Sequence, residues 1–203
     1  MTKQEFASRL QNACAAVTAA EQELTEIDSR FGDADHGLTM SKIAKAVSAA
    51  AGESEGGIQA MLDDAAMAVM VLNGGSAVPL WNTWLDGLQE EAPEGNEIDT
   101  AGIQAIFAKA LKALSDMSGA KVGDKTMMDA LIPAIEAIEA STSDDIKEIM
   151  TAGAEAAIRG AEETVNMKAN FGRARNYGER SIGYADSGAT SWSCMFASFA
   201  EAL

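Results

Sequence analysis

Three aspartates, Asp28, Asp33 and Asp35, fall within eight consecutive positions of a 203-residue chain. If their carboxylates converge to about 4 Å, each like-charge pair costs roughly 4 kcal/mol at an effective dielectric near 20, so the group demands a cation or a raised pKa. Magnesium meets that demand with few carboxylates, because water and phosphate oxygens fill its other positions. Calcium is disfavoured. Position three counted from Asp28 is Arg30, and position twelve counted from Asp33 is Ala44, which breaks the EF-hand pattern. Asp33 and Asp35 also suit a turn and a helix N-cap, roles that need no ion.

Three other features sit beside this cluster in chemistry. His36, the sole histidine, could meet a phosphate or a nucleotide ring, or serve as an ordinary structural side chain. Asn73-Gly-Gly-Ser-Ala77 precedes a helix, so it offers close backbone approach, free N–H groups and a favourable dipole to an anion. Each dipole contact contributes only about 0.3 to 1 kcal/mol, so several must act with the metal. The same stretch reads equally well as a glycine-rich connection. Residues 170–188 hold four glycines and five charged side chains, and bundle connections are usually only about 2 to 8 residues long. Arg173 is the best candidate there for a forked contact to phosphate, the alternative being a mobile or interface-forming loop.

Eight helices are predicted to position these residues. Thr2 and Glu5 form a capping box for the first, which carries Phe6, Leu10, Ala13, Val17, Leu24 and Ile27 and runs to Asp28. The second starts after Asp35 with Leu38, Ile43 and Val47; the third carries Ile58 to Leu72; the fourth starts near Pro79 with Trp81 and Trp84. The fifth shows Ile103, Phe107, Leu114 and Met117 before Gly119. The sixth runs from Lys125 and bends at Pro133, the seventh is capped by Ser143, and the eighth runs from Ala189 to Leu203. Short connections favour an up-and-down order, which puts odd-numbered loops at one end. That end then gathers the aspartates, the Asn73–Ala77 loop, residues 118–125 and 170–188, together with Arg30, Lys121, Lys125, Lys168, Arg173, Arg175 and Arg180. The even-numbered loops are acidic turns without chemistry.

Composition supports one helical domain over residues 1–203: 47% of residues are apolar, but only 5% are aromatic. No alternating strand pattern or internal repeat interrupts it. A net charge of −16 argues against a sequence-independent grip on nucleic acid, which needs a surplus of Lys and Arg. Cys14 and Cys194 lack the spacing of a metal or redox motif, and no apolar run approaches the roughly 20 residues of a membrane span. The reading is a cytoplasmic protein with buried thiols.

Gly32-Asp-Ala-Asp-His-Gly37, Gly123-Asp-Lys-Thr-Met127 and Gly178-Glu-Arg-Ser-Ile-Gly183, in this order and at these separations, closely resemble the nucleotide-binding L-type subunit of dihydroxyacetone kinases. The resemblance implies an all-α, eight-helix antiparallel barrel with ADP or ATP and two magnesium ions at one end. It implies that Asp28, Asp33 and Asp35 ligate the metal and that His36, Gly37, Leu38 and Thr39 line the nucleotide. Gly75, Ser76 and Ala77 match the phosphate loop, Gly119 and Met127 match residues near the nucleotide, and Arg173 with Asp186, Ser187 and Gly188 match the closing wall. Where the family usually reads Gly-Gly-Ala-Ser-Gly-Pro-Leu, this chain has Gly74-Gly-Ser-Ala-Val-Pro-Leu80, so Ser76 is the hydroxyl left to make that contact. By resemblance, the acceptor ketose sits on a separate K-type substrate-binding subunit. A free-standing L-type chain leans toward keeping ADP bound and being recharged by a phosphotransferase-system protein. An ATP-dependent component for another triose or tetrose, and a non-catalytic nucleotide-binding regulator, are the alternatives.

Overall fold

The computed structural model describes residues 1–201. These form nine α-helices: α1 Lys3–Ala19, α2 Glu21–Asp28, α3 His36–Glu53, α4 Ile58–Met70, α5 Ala77–Glu90, α6 Thr100–Ser118, α7 Met128–Ala140, α8 Ile146–Glu163 and α9 Ser187–Ala200. Two 3₁₀ segments, Thr164–Asn166 and Ala174–Ser181, lie between α8 and α9. Among the described residues there is no strand, only an isolated bridge between Thr2 and Glu97.

The count exceeds eight because the first predicted helix is two. Its capping box is present, with the Glu5 N–H donating to the Thr2 hydroxyl at 3.3 Å and the Thr2 N–H to Glu5 Oε2 at 2.7 Å. The chain then leaves helical geometry at Ala20 (φ −82°, ψ 4°). No glycine or proline announces the break. The nearby Thr18 hydroxyl donates to the Cys14 carbonyl at 2.8 Å, a back-bond of the kind that bends helices.

Other boundaries differ by small amounts. Asp145, not Ser143, caps α8 by accepting from the Lys147 N–H at 2.8 Å; the Ser143 hydroxyl instead donates to Glu148 at 2.6 Å. Helix α7 begins at Met128 rather than Lys125, and α9 at Ser187, capped by Asp186. Leu203, the predicted end of the last helix, lies outside the described residues. Leu38, expected on the apolar stripe of the second predicted helix, is 48% exposed, and the stripe that packs is Met40, Ile43, Ala44 and Val47.

Pro133 does not end α7. It lacks the N–H that would bond the Asp129 carbonyl four residues earlier. That carbonyl projects toward α8 at Gly160, where an added Cβ would lie 1.9 Å from it. A glycine on the neighbouring helix thus makes room for the group that the proline displaces.

From α3 onward each helix packs on the next, α1 packs on α3, and α9 closes the ring by packing on α1. The interior is filled by fully buried Phe6, Ile43, Met61, Trp84, Trp192 and Phe196. Each such side chain contributes about 1.5 to 3 kcal/mol by leaving water. At one end, the Met1 ammonium donates to the Ile98 carbonyl at 2.7 Å and Lys3 N–H to Asn96 O at 2.7 Å. The other end opens into a cavity. No described helix is long and apolar enough to cross a membrane.

Candidate functional site

The cavity is about 500 Å³ and its wall comes from the end of α2, the turn to α3, the loop before α5, residues 117–127, residues 171–174 and the start of α9. These are the odd-numbered connections of the predicted up-and-down order.

Asp28 closes α2, while Asp33 and Asp35 stand in the turn that leads to α3. One carboxylate oxygen from each lies within 4.8 Å of the other two. Two local features make that convergence feasible. Ala34 takes a left-handed backbone (φ 60°), which costs a non-glycine residue roughly 1 kcal/mol. Gly32 passes so close over Asp28 that an added Cβ would stand 2.2 Å from Asp28 Oδ1. The predicted N-cap role of Asp35 is not what its side chain does, since it makes no capping hydrogen bond.

Arg173 forms an ion pair with Asp33 Oδ2. Burial acts against the ionised Asp33, but backbone N–H and Arg173 hydrogen bonds prevail and hold its carboxyl below the usual range. Burial and the neighbouring Asp33 charge push Asp35 up. Among the described residues, Asp28 Oδ2 is buried with no hydrogen-bond partner, and Asp28 Oδ1 has only the Ser187 hydroxyl at 3.4 Å. A hard cation fits this donor set: three carboxylates, oxygen only, one of them with an unsatisfied buried lone pair.

The loop before α5 lies beside the carboxylates, with the Cβ direction of Gly75 3.9 Å from Asp35 Oδ2. Gly75, Ser76 and Ala77 line the cavity, and the Ser76 side chain makes no capping bond. Val78 occupies the space that a side chain at Gly74 would need, at 2.6 Å from its Cβ position.

His36 Nε2 lies 3.1 Å from Ser191 Oγ, whose proton goes to the Gly188 carbonyl at 2.9 Å, so the imidazole is the donor to Ser191. Burial pushes its pKa below the ordinary value, with Asp28 opposing, which favours the neutral ring. Asp186 accepts from the Ala189 N–H at 2.8 Å, and burial pushes its carboxyl up to about 6.

Thirteen sequence-predicted positions meet in the wall: Asp28, Asp33, Asp35, His36, Thr39, Gly75, Ser76, Ala77, Met127, Arg173, Asp186, Ser187 and Gly188. Gly37, Leu38 and Gly119 do not line it. Gly37 is buried against the α2 backbone, where a Cβ would meet Glu21 O at 2.0 Å, and Leu38 is exposed. Gly119 is the left-handed C-cap of α6 (φ 69°), donating to Ser115 O.

The basic patch is also narrower than predicted. Of its seven residues only Lys125 and Arg173 line the cavity, and Lys125 is buried, its ammonium bound to main-chain carbonyls. Arg30 and Arg180 lie over the rings of Tyr184 and Tyr177, at 5.7 and 5.3 Å. Sequence reading missed Phe31, Met117, Trp81 and Trp192 as wall residues. The last three occur at helical spacing indistinguishable from core positions, and nothing in the sequence marks them.

Residues 30–201 match the family model described as the DAK2 domain. The chain is 30% identical over 182 residues to the "PEP-dependent dihydroxyacetone kinase, ADP-binding subunit DhaL" of Escherichia coli, covering 88% of this chain and 87% of that one. A second DhaL subunit, of the dihydroxyacetone kinase 2 of Listeria innocua, is 30% identical over 195 residues, covering 94% and 90%. The D-erythrulose kinase of Mycolicibacterium smegmatis is 37% identical over 181 residues, 87% of this chain, but the chain spans only 31% of that protein. The dihydroxyacetone kinase from C. freundii, solved with AMP-PNP and Mg2+, superposes with a TM-score of 0.73 at 22% identity, covering 96% of this chain and 33% of that one, a likeness of fold. This chain is therefore a member of the DAK2 domain family, homologous to the DhaL subunits of dihydroxyacetone kinases.

Proposed function

We propose that residues 1–203 act as one magnesium-nucleotide-binding unit of a cytoplasmic kinase, from which a phosphoryl group passes to dihydroxyacetone or a related short ketose on a separate substrate-binding subunit. The observation that carries this reading is the carboxylate triad within 4.8 Å, with Asp28 Oδ2 buried and unpartnered among the described residues, at a glycine-lined helix start.

Asp28, Asp33 and Asp35 would hold the magnesium, two ions being the expected number. When bound, the metal neutralises charge on the phosphates and aligns them. The chain's own residues supply the positioning that phosphoryl transfer chiefly needs. Gly75 and Ser76 allow phosphate oxygens to approach the start of α5. Arg173, already beside Asp33, is the cation available for charge that develops in transfer. His36, whose pKa burial lowers, is oriented by Ser191, so it serves as a hydrogen-bonding wall.

The DhaL subunits in the names of relatives that this chain nearly spans are PEP-dependent. That supports bound ADP recharged by a phosphotransferase-system protein over consumption of free ATP. The 37% identity to a D-erythrulose kinase favours a second reading in which the acceptor is a tetrose. Assaying the chain with a K-type substrate-binding subunit, on dihydroxyacetone and erythrulose, with ATP or with a phosphotransferase system, separates these.

The primary test is calorimetric titration of the purified chain with ADP in magnesium. Tight binding that weakens at least tenfold in Asp33→Asn is expected. No binding, or unchanged affinity in the variant, overturns the assignment.

A further inference from the structure

Residues 170–184 form an arm that brings Arg173 to Asp33. Two adjacent residues of the loop before α7 grip both ends of it. Asp124 holds the entry: its carbonyl accepts from the Asn170 N–H at 3.1 Å, and its Oδ1 from the Asn170 side chain at 3.1 Å. Lys125 holds the exit, donating from Nζ to Tyr184 O and Thr164 O, each at 2.5 Å. The arm's base has other ties as well, a main-chain bond from Gly183 N–H to Val165 O at 2.7 Å and a bond from Ala169 N–H to the Ser181 hydroxyl at 2.9 Å. These join the arm to itself and to the end of α8. At the exit, the hydrogen bond that reaches it from the 119–127 loop among the described residues is that of the Lys125 side chain.

The cost of this arrangement marks it as more than packing. Lys125 is 3% exposed and has a left-handed backbone (φ 60°) that lysine rarely adopts. Among the described residues it makes no salt bridge, so a buried ammonium is satisfied by carbonyls alone, an inefficient way to stabilise a core. Asp129 prepares the loop for it by accepting from Gly123 N–H at 2.6 Å and Thr126 N–H at 2.7 Å.

We propose that Lys125 is a positioning residue for the nucleotide site, fixing the exit of the 170–184 arm so that Arg173 is presented at the carboxylate cluster. This role rests on the magnesium-nucleotide reading above. Lys125→Met removes the ammonium, and Lys125→Asn does so with a residue that tolerates the left-handed backbone.

Two measurements on the full chain test it. Amide exchange across residues 171–182, without nucleotide, is expected to quicken at least tenfold in either variant, while α6 is unchanged. MgADP affinity is expected to fall at least fivefold in each Lys125 variant and in Arg173→Ala, with the double variant within twofold of Arg173→Ala alone. Losses that multiply instead, or failure of both Lys125 variants to fold, overturn the role. Absence of MgADP binding by the unmodified chain defeats the nucleotide reading and this role with it. Intact binding with unaltered arm exchange in the variants defeats this role alone.

Discussion

Gly32→Ala tests the carboxylate cluster without removing any carboxylate. The new methyl would stand 2.2 Å from Asp28 Oδ1 and 2.6 Å from its Cγ, where ordinary contact begins near 3.4 Å. Gly32 does not use a positive φ, so alanine fits the backbone and the side chain of Asp28 yields by more than an ångström. Like charges at 4.8 Å repel by about 1 kcal/mol in bulk water and about 3.5 kcal/mol at an effective dielectric of 20, and the exposure of Asp33 favours the low end. Moving Asp28 away relieves part of that, so the metal-free variant should melt within about 3 °C of the parent, the shift about 1 kcal/mol produces at this size. Affinity for the cation should fall tenfold to a hundredfold, the loss seen when even the supports of metal ligands are disturbed. Manganese titration followed by electron paramagnetic resonance, beside differential scanning calorimetry, reads both. Parental manganese affinity in a folded Gly32→Ala chain refutes the argument that these carboxylates converge on an ion.

Asp186 gives a pH signature. Its ordinary value of 3.8 is pushed up to about 6 in the fold, so the folded state keeps a proton the unfolded chain releases, and stability falls as pH rises through that interval, by up to roughly 3 kcal/mol. Asp186→Asn keeps a good N-cap and should flatten the decline between pH 4 and 6.5 in urea melts; an unaltered slope refutes it. Gly160→Ala drives a methyl into the Asp129 carbonyl, 1.9 Å away, and should cost about 1 to 3 kcal/mol, or roughly 3 to 10 °C, with MgADP binding retained below the melt. An unchanged melting temperature would show that α7 and α8 can part without penalty.

The architecture was legible because apolar spacing and short connections both pointed to antiparallel helices, and because alternating ends sorted bland loops from loops with chemistry. The convergence of Asp28, Asp33 and Asp35 was legible from a different cue: three acids so close in sequence need an explanation. What escaped was the part that depends on through-space neighbours. The basic residues that read as one patch divide in the fold, since Lys125 turns inward to carbonyls and Arg30 lies on Tyr184. Gly37 reads as a ligand-facing residue by its place after His36, yet its lack of a side chain serves the approach of α3 to α2. The break at Ala20 carries no glycine or proline to mark it, only the Thr18 back-bond that the fold reveals.

All three tryptophans of the chain share one cluster. Trp81 and Trp192 stack with ring centroids 4.4 Å apart and 11° between planes, and Trp84 stands edge-on to Trp192 at 5.0 Å. Trp81 and Trp192 also form part of the cavity wall. The protein therefore carries a native optical reporter: its indole emission and the indole bands of its near-ultraviolet circular dichroism come from a single coupled group next to the mouth. Occupancy can be followed in unlabelled protein, with no background from indoles elsewhere.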